Sequence, residues 1–158
     1  MNILQALKKI KHNDRKIAKI QTRISKWCSH EDNVEPAYDI KVLMQSVTDL
    51  LVFKAHLINA IRRANVSTVV QYKDKPWSLD MLIGHRTTVL PGRVATLTLL
   101  RRKEKERGFG VSNQNDPVKM LLNYDPKERD KELDAIEDEM SNIDTILDET
   151  NIATEVME

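Results

Sequence analysis

Apolar residues recur at helical spacing over most of the chain, and the longest such run covers residues 37–64. Leu43, Leu50, Leu57 and Ala64 stand seven apart, with Val47, Lys54 and Ile61 between them at steps of four and three. Ile40, Met44, Val47, Leu51, Ile58 and Ile61 form a second row beside the first, which predicts a helix with a wide apolar face. At about 1.5 Å per residue it is roughly 40 Å long. A helix so long and so apolar requires cover on more than one side, and the rest of the chain is expected to supply it.

The flanking segments carry the same pattern. A first helix is predicted over 2–28, where Ile3, Leu7, Ile10, Ile17, Ile24 and Cys28 follow the heptad step. Asp14 and Gln21 take two polar slots of that seam, and Ile20 and Trp27 widen the stripe. The polar connection 29–36, closed by Pro36, is short enough to make the two helices antiparallel neighbours. The second helix is expected to stop at Asn65, with Arg62 and Arg63 at the end where the helix dipole favours cations.

The period then changes. Residues 66–72 are rich in β-branched side chains and read as a strand, followed by a turn over 73–76. Ser78 is placed to cap a third helix over 78–107, which Pro91-Gly92 must kink or split. A loop follows over 108–117, and 118–122 alternates like a second strand, expected to pair with 66–72. Asp125-Pro126-Lys127-Glu128 has the order of a helix start. From there Leu133, Ile136, Met140, Ile143 and Leu147 step by three and four through a fourth helix over 126–150. Residues 151–158 read as a fraying acidic tail. The expected fold class is mainly α: one domain of long antiparallel helices, a helical hairpin or coiled-coil bundle, with a small β element at one end.

Composition supports this and narrows the function. The chain is 31% charged and 4% aromatic, the signature of long surface helices. A net charge of +1 argues against a general polyanion binder. The charge is nevertheless divided: residues 1–28 hold eight basic residues against one acid, and 127–158 hold three basic residues against twelve acids. The two ends are electrostatic complements, either as solvated faces or as helices lying side by side within or between subunits. Cys28, as a lone cysteine, fits a reducing compartment and reads as a small buried apolar residue. Residues 1–10 hold no apolar signal region, and no run approaches the roughly 18 apolar residues of a membrane helix.

No catalytic constellation has usable spacing. His12, His30, His56 and His85 are scattered, without a His-Glu-x-x-His or paired-Cys pattern, so no metal and no cofactor is expected. His56 reads as a core or interface histidine beside the apolar face of the second helix. The basic cluster 101–107 is diluted by Glu104 and Glu106, and the acids of the last helix read as a solvated face.

Three places resemble the septicolysin-like family, small helical proteins found in bacteria and phages. They are Ile58-Asn-Ala-Ile-Arg-Arg-Ala-Asn65, Trp77-Ser-Leu-Asp-Met-Leu-Ile-Gly-His-Arg86 and Ile143-Asp-Thr-Ile-Leu-Asp-Glu-Thr-Asn-Ile-Ala-Thr-Glu-Val156. Their order and spacing match that family over most of the chain. This sequence departs from it at Thr87, at Ile152 and at Pro91-Gly92. The resemblance implies no catalytic residues; it implies a bacterial or phage setting, and the family name implies pore formation.

These readings lead to one expectation: a non-enzymatic, oligomeric structural or assembly protein acting through helical surfaces, as a phage virion component. The alternatives are a septicolysin-like pore-forming toxin and a nucleic-acid-binding accessory protein. Expected partners are further copies of the chain and other protein subunits, with neither nucleic acid nor membrane. The expected location is the cytoplasm or an assembled phage particle, without secretion by a classical signal. The candidate interaction residues are Leu43, Leu50, Phe53, Leu57, Ile136, Met140, Ile143 and Leu147.

Overall fold

The computed structural model describes residues 1–101 and 121–156. The fold is mainly α with one small antiparallel sheet. In chain order the elements are α1 (Ile3–Trp27), α2 (Ile40–Ser67), β1 (Val69–Tyr72), β2 (Lys75–Ser78), α3 (Leu79–Gly84), a π-helical turn (His85–Val89), α4 (Leu90–Thr98) and α5 (Pro126–Ala153). The chain divides into two compact units, Met1–Leu82 with Ile146–Glu158, and Ile83–Thr145.

The first unit is built on α1 and α2. Asp14 and Lys54, about equally far from the connection between the helices, meet at 2.6 Å, so the two run antiparallel. Apart from Leu4, the buried and half-buried positions of α1 are Ile3, Ala6, Ile10, Asn13, Ile17, Ile20, Ile24 and Trp27, an alternation of three and four. The seam therefore runs one residue before the slots expected at Asp14 and Gln21, which face solvent. On α2 the seam is as read: Ile40, Leu43, Val47, Leu50, Lys54, Leu57, Ile61 and Ala64 are all buried or half-buried. Asn13, 6% exposed, is the polar member of the α1 seam, and its Nδ2 has no hydrogen-bond acceptor. At the far end Trp27 and Tyr38 meet edge to face at 6.4 Å, with the Arg23 guanidinium over the Tyr38 ring.

Local chemistry sets the ends. Asn2 caps α1 in a reciprocal box with Gln5, and Asp39 caps α2 through the Lys41 N–H. Asn65 does not end α2; the helix runs on to Ser67, and the Asn65 Oδ1 is buried without a donor.

The β element differs from the expected pairing. β1 pairs with β2, from Val69↔Ser78 to Tyr72↔Lys75. Lys73 and Asp74 both take positive φ, 50° and 60°, as the two centre residues of a tight hairpin turn whose twist matches the strands. A hairpin closed by two residues needs far less chain entropy than pairing with a strand some fifty residues away. Of the expected partner 118–122, residues 118–120 lie outside the described residues, and Leu121 and Leu122 are exposed and not in a strand. Tyr72 and Trp77 stack edge to face at 5.4 Å. The Leu79 N–H donates to the Thr68 carbonyl, and the Met81 N–H to the Ser78 hydroxyl, which caps α3 as expected.

Residues 151–156 of the expected fraying tail are held in place, and 157 and 158 lie outside the described residues. The Ile3 N–H donates to the Thr154 carbonyl at 3.0 Å, and the Val156 N–H to the Met1 carbonyl at 2.7 Å. The Asn2 Nδ2 reaches the Ile152 carbonyl, so one residue both caps α1 and holds the other end of the chain. Val156 is 3% exposed. Its burial is the apolar signal that the acidic composition of the tail hid.

In the second unit the helix passes through Pro91 without splitting. Pro has no N–H, and its ring clashes with the carbonyl four residues earlier. The chain answers with the π turn, in which the Leu90 N–H bonds to His85, five residues back. α4 then ends at Thr98; residues 102–107 of the expected helix, and the loop 108–117, lie outside the described residues. Asp125 caps α5 through the Lys127 N–H, with Pro126 first in the helix. The Leu100 carbonyl accepts from the Tyr124 hydroxyl at 2.8 Å and from Arg129 Nη1 at 2.7 Å, fastening the end of α4 to the start of α5.

Two stability measurements check these points. Val156→Ala is expected to cost about 2 kcal/mol in urea denaturation, the scale of a truncated buried side chain, whereas a frayed tail would give no change. Asn13→Leu is expected to raise stability by about 1–2 kcal/mol, because it removes a buried donor without an acceptor. Asp14→Leu should give no such gain, since Asp14 is exposed and paired.

Candidate functional site

The expected interaction residues do not gather at one place. Leu57, Ile136 and Ile143 are buried, and Leu43, Leu50, Met140 and Leu147 are half-buried. Phe53 is exposed, on the flank of α2. Cys28 and His56 are also exposed, against their expected burial; the Cys28 thiol donates to the Ser25 carbonyl at the end of α1. Two features remain as candidate sites, one in each unit.

The first is the N-terminal half of α2. Between Ile40 and His56 no side chain is fully buried, because α1 covers only the seam. Apolar residues flank the seam on both sides. At helical spacing Val42 and Phe53 lie along one flank, and Met44 and Leu51 along the other. Val42 is 61%, Met44 58%, Val52 52% and Phe53 41% exposed.

The second is a groove of about 670 Å³ in the unit Ile83–Thr145, between α4 and α5. Pro91, Val94 and Ala95 of α4 face Leu133 and Met140 of α5 across it. Its polar end holds Arg86, Ser141 and Asp144, and Glu137 stands on its α5 side. Arg86 grips Asp144 with two parallel bonds, Nε and Nη2 each donating at 2.8 Å. These bonds hold the Asp144 carboxyl below its ordinary range and raise the Arg86 guanidinium above its own. Two further links tie the same helices: His85 Nε2 to Glu139 at 3.1 Å and Arg93 Nη2 to Glu132 at 2.8 Å.

The acids of α5, read as a solvated face, thus serve partly as an ion-paired wall. Arg86 was visible in the sequence as part of a motif, and Pro91 as an interruption. Nothing in spacing alone joined them to Asp144, 58 residues on. Among the described residues no group of three or more His, Cys, Asp or Glu could hold a metal ion, and no helix is long and apolar enough to cross a membrane.

The model of a family of unknown function, DUF6847, matches residues 11–156. The chain belongs to DUF6847. The matched region takes in both the exposed flanks of α2 and the groove. A crystal structure of a functionally unknown conserved protein from Corynebacterium diphtheriae is similar in fold, with a TM-score of 0.73 over 99% of each chain at 18% identity. No curated protein matches the chain.

The Arg86–Asp144 pair gives a pH signature. Because the Asp144 carboxyl is depressed in the folded chain, its stabilisation is complete above the carboxyl's unfolded value and is lost as pH falls through its folded value. Asp144→Asn is expected to remove that part of the acid-side decline in thermal melts followed from pH 6 to pH 2, and to leave neutral-pH behaviour little changed, since the pair is solvent-screened.

Proposed function

We propose that this DUF6847 protein is a self-associating scaffold, acting through α2 rather than through catalysis. The observation that carries the reading is the exposure of Val42, Met44, Leu51, Val52 and Phe53 around a seam that α1 covers on one side only. Apolar exposure concentrated on one helix, here on both flanks of its seam, supports a contact site. Two long helices offering a shared stripe and two apolar flanks have the form of a coiled-coil hairpin that completes its packing in trans, with a closed symmetric assembly as the default. The virion setting rests on the resemblance to the septicolysin-like family alone.

Sedimentation at micromolar concentration tests the reading. A stable oligomer is expected. Val52→Glu with Phe53→Glu should convert it to monomer while leaving the helical circular dichroism intact. Raised salt should weaken assembly only modestly, since exposed ion pairs are worth about 0–1 kcal/mol each. A monomer for the unaltered chain, or an oligomer indifferent to both substitutions, overturns it.

A further inference from the structure

We propose that the groove between α4 and α5 binds a small cationic amphiphile, an apolar body carrying one ammonium or guanidinium head. Its volume, about 670 Å³, falls within the roughly 300–1,000 Å³ of pockets that enclose small ligands. The walls are apolar on both sides, Pro91 and Val94 on α4, Leu133 and Met140 on α5. They accept a hydrocarbon body.

The head is decided by charge. An anion would look to Arg86, but Asp144 already occupies that guanidinium through two bonds, and the pair is internally neutral. Among the described residues Glu137 has no hydrogen-bonded or ion-paired partner, so the groove carries one uncompensated negative charge. The surrounding part of α5 deepens it: residues 126–145 hold three basic side chains against eight acidic ones. An ammonium group on the α5 side of the groove donates to the Glu137 carboxylate, with the Ser141 hydroxyl, one helical turn on, as a further acceptor. The inference is independent of self-association through α2, because the two features use different residues in different units.

The probe is octylammonium, titrated below its aggregation concentration into the full chain with the methionine methyl groups labelled for NMR. Met140→Leu assigns the groove signal. The expected result is a saturable shift of the Met140 methyl, with the exposed Met44 and Met81 methyls unmoved. Octanoate should not compete. Glu137→Gln should weaken octylammonium about fivefold, the scale of one solvent-screened ion pair, with an unchanged melting temperature as the check on folding. The inference is overturned by any of four results. These are no shift at Met140, shifts at Met44 or Met81 instead, equal binding of octanoate, or indifference to Glu137→Gln. A Met140 signal that moves with protein concentration alone would place a second copy in the groove and overturns it as well.

Discussion

The constraint on which the first unit depends is the mismatch between two helices of similar length. α2 is apolar around a wide arc, and α1 offers a single heptad-spaced stripe to meet it. A seam of alternating threes and fours buries one line of side chains per helix and no more. Everything else apolar on α2 must be covered by other parts of the chain or stay in contact with water. The C-terminal half of α2 finds cover, as the burial of Leu57, Ala60, Ile61 and Ala64 shows. The N-terminal half does not. Function is most reasonably sought where burial stops and the sequence remains apolar.

The second unit solves a different problem. Its helices are short or charged, and few of its described side chains are fully buried. Leu90, Ile136 and Ile143 are the exceptions. Orientation is instead held by directional contacts: His85, Arg86 and Arg93, each on its own acid of α5. Such pairs add little stability when exposed. They do fix which side chains share a face, and a groove with defined walls needs that more than it needs depth.

Much of the fold was legible in the sequence because it rests on periodicity. The α2 seam, the helix start at Asp125 and the cap at Ser78 are local patterns. The α1 seam was read one residue late because Leu7 and Cys28 fit a heptad as well as Ala6 and Trp27 do. Ile20 against Gln21 favours the observed register, but Asn13 and Asp14 are both polar, so the middle of the helix leaves the choice open. The β partner was misplaced because Lys73-Asp74 lacks the Asn-Gly signal of a tight turn. The closure of the chain ends was missed because backbone hydrogen bonds leave no trace in composition. The groove lay furthest from view, since its two walls are separated by the length of a loop and an ion pair has no period.

The π turn at His85–Val89 has a further meaning. An α-helix advances about 100° of azimuth per residue, and a π turn absorbs one residue without that advance. In an uninterrupted α-helix Pro91, Val94 and Ala95 would sit roughly a quarter-turn or more away from Arg86. The absorbed residue resets the phase, bringing that apolar strip round to the groove that Arg86 also lines. Pro91, which follows the π turn, is also part of one wall of the groove, and a return of this segment to regular α-helix at unchanged length would dismantle the groove by rotation, with every lining side chain still present.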